Sequence, residues 1–163
     1  MIGILGDTHD NLDAIGKAVE FFNGKGVKLV IHTGDIVSPF SVESFKNLKC
    51  DFKAVYGNNE GDRFNLARKL KEIDAEITDF LELDYDEKRI AIYHGQNPSI
   101  LDAIVKCGKY DVVITGHTHT PEVTLDDNTL IVNPGETCGY MTGVMTVAVL
   151  NTSDMKADIH TLK

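Results

Sequence analysis

Short apolar runs alternate with helical patterns through the first 115 residues, and this alternation most restricts the folds open to the chain. Ile2 to Gly6 is apolar at nearly every position, which predicts a strand buried on both faces. Leu12, Ile15, Val19 and Phe22 then recur at helical spacing, with Gly24 expected just past the helix end. Leu29 to His32 reads as a second buried strand. Ser38-Pro39 reads as an N-cap followed by a first-turn proline, opening a short helix through Val42 and Phe45. Phe52 to Tyr56 predicts a third strand, and Leu66, Leu70 and Ile73 a helix after Asp62. Leu81, Leu83 and Tyr85 alternate with Glu82 and Asp84, then turn through Asp86-Glu87-Lys88 into Arg89 to Tyr93, a hairpin pattern. Pro98 opens a helix carrying Leu101, Ile104 and Val105, closed by Gly108, and Val112 to Thr115 is another buried strand.

The last third changes character. Glu122 to Leu125, Thr129 to Val132, Val144 to Leu150 and Met155 to Thr161 are strands joined by tight polar turns such as Asp126-Asp127-Asn128, and this part is expected to be antiparallel. The expected fold class is α/β, with two sheets packed face to face and helices outside. No repeat, low-complexity segment or linker divides the chain, so residues 1–163 are expected to form one domain. Hydrophobic residues at 42% and charged residues at 25% exclude a disordered or collagen-like chain.

Charge restricts the partners. Asp and Glu number 25 against 16 Lys and Arg, a formal net charge of -9, and no basic stripe with interleaved aromatics occurs. Broad nucleic-acid binding is therefore not expected. Cys50, Cys107 and Cys138 are spaced too widely for a zinc knuckle or a disulfide framework. No apolar run is long enough for a membrane span, and the start MIGILGDTH lacks the layout of a signal peptide. The expectation is a cytoplasmic protein without membrane partners.

The polar residues fall where the strands end. Asp7-Thr8-His9 follows the first strand, Gly34-Asp35 the second and Gly57-Asn58-Asn59-Glu60 the third. Arg89 to Tyr93 ends in His94-Gly95, and Val112 to Thr115 in Gly116-His117-Thr118-His119. In open α/β sheets the carboxyl edge of the strands is where ligands bind. Two Asp, one Asn and four His form a donor set suited to Mn, Ni, Fe, Zn or Co. Without thiolate beside these turns, a structural zinc site is disfavoured.

The strings GDTH, TGD, GNNE, HG and TGHTH, in this order and spacing, resemble those of the calcineurin-like metallophosphoesterase superfamily. The short length and the Asn133-Pro134-Gly135 turn are similar to its small bacterial and archaeal phosphodiesterase branch, and the resemblance spans essentially the whole chain. It implies a four-layer α/β/β/α sandwich of two mixed sheets flanked by helices. It also implies two divalent metal ions, with Mn or Ni favoured. Carried over residue by residue, it assigns Asp7, His9 and His119 to one ion and Asn58, His94 and His117 to the other, with Asp35 between them. It further implies hydrolysis of a small-molecule phosphodiester by a hydroxide bridging the two ions, with Asp35, His94 and Asn59 as catalytic residues.

Asn59 stands where the superfamily's third block usually carries a His. It can donate a hydrogen bond but cannot act as a general acid, so a steep dependence on leaving-group acidity is expected; a flat one would point to water or Glu60. HGQN lacks the further His found after the glycine in many members, and Glu136 replaces the more usual Ser after the Asn133-Pro134-Gly135 turn. His32, on a buried strand, is expected to hydrogen-bond in the core, and His160 to be solvated. Cys138 could approach the site, with packing the favoured role, and the acidic stretch from Glu72 to Glu87 is expected to be a solvated face. Two alternatives stand beside the diesterase. One is a non-catalytic scaffold, because the fold resembles a trafficking-complex subunit with a degraded metal site. The other is a phosphomonoesterase, for which Arg63 is the one nearby cation. The antiparallel tail could offer an edge or face to a homodimer.

Overall fold

A computed structural model describes residues 1–163. It contains eleven strands in two sheets, three α-helices and a 3₁₀ segment, Pro39–Asn47. The first sheet holds β1 (Ile2–Leu5), β2 (Leu29–His32), β3 (Asp51–Val55), β4 (Glu76–Thr78), β10 (Thr146–Asn151) and β11 (Lys156–Thr161), in the order β11-β10-β1-β2-β3-β4. Its β1 to β4 run parallel, and β10 joins β1 antiparallel, pairing Ile2 with Leu150. The second sheet holds β5 (Leu81–Tyr85), β6 (Lys88–Ile92), β7 (Val112–Ile114), β8 (Glu122–Asp126) and β9 (Thr129–Asn133), in the order β5-β6-β7-β9-β8.

Side-chain alternation along the strands builds the layers. Ile2, Ile4, Leu29 and Ile31 point between the sheets, where they meet Ile90, Ile92, Val112, Ile114 and Val132. Val30 and Leu5 point the other way, to Ile15, Val19 and Phe22 of α1 (Leu12–Lys25) and to Leu66 and Leu70 of α2 (Arg63–Lys71). Val113 and Ala91 pack on Val105 of α3 (Pro98–Lys106) beyond the second sheet. Burial of each large aliphatic side chain stabilises by roughly 1.5–3 kcal/mol. The inter-sheet layer therefore fixes how the two sets of strand ends face each other. The four-layer α/β/β/α sandwich is the arrangement expected from the sequence.

Several details differ from that expectation. Helix α1 runs to Lys25 and stops at Gly26, whose left-handed φ of 65° ends it, instead of at Gly24. Pro39–Asn47 winds as a 3₁₀ turn, and Ser38 makes no side-chain cap; its hydroxyl donates to Asp10 instead. Strand β4 has only Ile77 as a partly buried residue, too little apolar signal to be read.

The tail is antiparallel, as expected, between β8 and β9, between β10 and β11 and where β10 meets β1, with one exception. Strand β9 pairs parallel with β7, Val112 opposite Leu130, while the fully exposed β8 forms the edge. Leu130 and Val132 are buried between the sheets and Ile131 packs towards α3, so β9 needs a position inside the sheet. The acidic residues from Glu72 to Glu87 are exposed, as expected. His160 is half-buried against Phe21, with ring centroids 5.0 Å apart, so it is not the solvated residue expected. No helix is long and apolar enough to cross a membrane.

Candidate metal centre

Six parallel strands, β1, β2 and β3 of one sheet and β6, β7 and β9 of the other, end on one rim. The loops leaving them are knitted together by backbone bonds. Asp7 N–H donates to Gly34 O (2.9 Å), His9 N–H to Asp35 O (3.0 Å) and Cys138 N–H to Asp7 O (3.1 Å). Asp7, His9, Asp35, His117 and His119 all take left-handed φ angles, between 41° and 68°. Such a conformation is uncommon outside glycine, and Asn, Asp and His tolerate it best. Gly57 permits a close approach: a Cβ there would strike the Asp35 carboxylate and stand 2.7 Å from its backbone nitrogen.

Two groups of donors result that share Asp7, the first half-buried and the second buried. Asp7, His9 and His119 form one, and Asp7, Asp35 and His94 the other. Asp35 Oδ2 lies 3.6 Å from His9 Nε2 and 3.5 Å from His94 Nε2, between the two sets. Asn58 Oδ1 stands 3.1 Å from His94 Nε2 and 2.9 Å from His117 Nδ1. His117 thus joins the cluster through Asn58, on its exposed side. Asn59 faces Asp35: its backbone N–H donates to Oδ1 (2.9 Å) and its side-chain amide to Oδ2 (2.7 Å).

The electrostatics follow from burial and these contacts. Burial raises the Asp7 carboxyl to about 6, against the pull of His94 and His119. Burial opposes ionisation of Asp35 too, but His94 and the two Asn59 donors outweigh it and hold its carboxyl below the usual range. Burial lowers the His9 and His117 imidazoles. His94 is raised, because the bond and charge of Asp35 overcome its burial. Its Nδ1–H donates to Thr33 O (2.8 Å), which turns Nε2 towards the site.

Divalent cations fit this donor set. Asp7 Oδ1 and His9 Nε2 are buried without any hydrogen-bond partner, and buried polar atoms in that state need another source of compensation. Carboxylate, imidazole and amide oxygen are the donors such ions take.

Other residues brace the rim. His32 is fully buried; its Nδ1 accepts the Gly34 N–H (3.1 Å), so Nε2–H donates to Thr8 Oγ1 (3.0 Å). This is the core role expected of it. Glu60 accepts the N–H groups of Ile36 and Gly57, each at 2.7 Å, and so ties the second loop to the third. Cys138 is buried, and its thiol is pushed up to about 12 by burial. Asn133 donates to Gly116 O (2.9 Å) and Thr118 Oγ1 (3.0 Å), holding the loop that carries His117 and His119.

Glu136 is the residue whose role the sequence did not reveal. It follows β9, which is parallel to β7, and so reaches the same rim; its carboxylate accepts His119 Nδ1–H at 2.7 Å. The rule that located the other residues, polar groups at a strand's carboxyl end, would have found it had β9 been read as parallel.

The model of the calcineurin-like phosphoesterase superfamily domain matches residues 1–155. The chain belongs to this superfamily. Within the superfamily it is 47% identical over 153 residues to the phosphodiesterase MJ0936 of Methanocaldococcus jannaschii, covering 93% of this chain and 92% of that protein. A solved archaeal phosphodiesterase superposes with a TM-score of 0.95 at 44% identity, covering 99% of both chains. Vps29 of Chaetomium thermophilum shares the calcineurin-like fold at a TM-score of 0.73 and 15% identity, over 98% of this chain and 94% of that one.

Proposed function

We propose that the chain is a hydrolase of small-molecule phosphodiesters that works with two divalent metal ions. The observation that carries this reading is the pair of unpartnered buried atoms, Asp7 Oδ1 and His9 Nε2, among the donors Asp35, His94 and His119, which Asn58 and His117 adjoin. Asp7, His9 and His119 would hold one ion, Asn58, His94 and His117 the other, and Asp35 would contact both. When bound, such a pair lowers the pKa of water and neutralises charge developing on the phosphoryl oxygens. The likeness to archaeal phosphodiesterase in both sequence and structure supports this substrate class.

The chain's own residues have narrower tasks. Thr33 O sets the His94 ring, and Asn59 steadies the Asp35 carboxylate. With substrate present, the Asn59 amide would turn one N–H to a phosphoryl oxygen. It supplies no proton, so the leaving group departs on its own acidity.

Charge favours the diester. Arg63, the one cation beside the third loop, pairs with Asp79 and stacks on Tyr56 at 3.7 Å. No ion pair of a Lys or Arg involves a proposed metal ligand. A monoester dianion would lack the side-chain cations it needs, whereas a diester carries a single charge.

The test is metal analysis of protein loaded with excess Mn and desalted, followed by hydrolysis of matched aryl diester and monoester. About two equivalents of Mn and a kcat/KM favouring the diester are expected. Asp35→Ala should abolish turnover. Less than about one equivalent, or a clear preference for the monoester, overturns the reading.

A further inference from the structure

Glu136 has no exposed surface, and its one partner in an ion-pair geometry is the His119 imidazole, with no Lys or Arg beside it. Its Oε2 accepts His119 Nδ1–H (2.7 Å) and Met141 N–H (3.0 Å). Its Oε1 accepts the N–H groups of Met141 (2.9 Å) and Thr142 and the Thr142 hydroxyl (2.7 Å). Backbone N–H groups, which can only donate, reach both oxygens of this carboxyl, an arrangement that calls for the acceptor-only carboxylate.

An ionised carboxylate only accepts hydrogen bonds. In the neutral imidazole the His119 proton therefore sits on Nδ1, and Nε2 presents a lone pair. That lone pair lies 3.4 Å from Asp7 Oδ1, itself an acceptor without a partner. Two acceptors facing each other with no hydrogen between them repel, and a proton or a metal cation entering between them relieves the repulsion. His94 receives the corresponding orientation from the Thr33 carbonyl, which no side-chain substitution removes. For His119 the orienting group is a side chain.

We infer that Glu136 is a positioning residue: it fixes the His119 tautomer and ring so that Nε2 and Asp7 Oδ1 jointly bind one of the two ions. The inference rests on the two-ion reading above. The same carboxylate also anchors the backbone at Met141 and Thr142, so the alternative role is that of a loop anchor alone. Glutamine cannot replace it, since every partner donates and the amide NH₂ must face one of those donors. Second partners of metal-bound histidines are worth about 10–100-fold in affinity or activity.

The experiment is calorimetric titration of Mn into the metal-free full chain, for wild type, E136Q, E136D, T142A and H119A. Wild type is expected to show two sites, and H119A to identify the one that His119 serves. E136Q is expected to weaken that site by about 10–100-fold and leave the other unchanged. E136D should recover part of the loss. T142A, which removes one anchor of the loop and no contact to His119, should titrate as wild type does.

E136Q titrating like wild type overturns the inference, as does T142A reproducing the E136Q loss. If E136Q does not fold, long-range proton–nitrogen correlation of the wild-type imidazoles decides: Nδ1–H at His119 sustains the inference, and Nε2–H refutes it. Failure of wild type to bind two Mn ions strikes the two-ion reading itself, and is seen separately from any effect of Glu136.

Discussion

Replacing His32 by glutamine isolates the acid sensitivity that one buried imidazole imposes on the fold. The ring is completely buried, and both nitrogens are engaged in the neutral form, with Nδ1 accepting from Gly34 and Nε2–H donating to Thr8. Burial pushes its pKa from 6.5 down to about 3, against the pull of Asp35. In the unfolded chain the same ring takes up a proton near its ordinary value. Below that pH the unfolded state binds more protons than the native state, so stability falls as pH falls. The slope is about 1.4 kcal/mol per pH unit. Integrated from about pH 7 to about pH 5.5, the loss is about 1.3 kcal/mol. Asp7, raised to about 6, works in the opposite sense, but it is present in both chains and cancels in the comparison. The assay is urea unfolding of chelator-treated wild type and H32Q at the two pH values. The stability advantage of wild type is expected to shrink by about 1.3 kcal/mol at the lower pH. An advantage that stays constant, or grows, refutes the neutral buried imidazole.

Gly57→Ala drives a Cβ against Asp35 and is expected to weaken Mn binding by at least ~10-fold, measured by chelator competition; unchanged affinity would refute the close-approach argument. Across aryl diesters of rising phenol pKa, wild-type rates should fall steeply. Asn59→His should flatten that slope and recover part of the ~10²–10⁴-fold that general acids supply. A flat wild-type slope, with chemistry rate-limiting, would mean another group gives the proton. Removal of both Mn ions from protein saturated at ~100 times the Kd of each site should lower Tm by roughly 11–22 °C, read by calorimetry. A Tm indifferent to chelation would deny preferential binding to the native state.

The layers and most of the site were legible because each depends on a short-range signal. An apolar run ending in Gly and a polar donor marks both a buried strand and its functional edge, as at Ile2–Leu5 followed by Asp7 and His9. What escaped depends on pairing between distant segments. Strand β4 exists because β3 offers it an edge, and its own three residues carry little pattern. The direction of β9 is set by insertion beside β7, and with it went the role of Glu136. The sequence showed that Asn59 could not donate a proton, but not that its amide would be engaged by Asp35. Gly24 and Gly26 compete for the same helix end, and only the backbone angle at Gly26 decides between them.

Because the donors come from both sheets, the site has a place in time as well as in space. Asp7 Oδ2 accepts the His117 N–H across a sequence separation of 110 residues, so the first donor loop waits for about two-thirds of the chain before this partner from the second sheet exists. Contacts this distant in sequence form slowly, since chain entropy is lost before any contact rewards it. During synthesis the early strands can assemble with α1 while the histidines of the second sheet are still unmade. Metal capture is thereby postponed until the halves have docked, and a stalled or truncated chain ending before His94 would carry Asp7, His9, Asp35 and Asn58 but only part of either donor set.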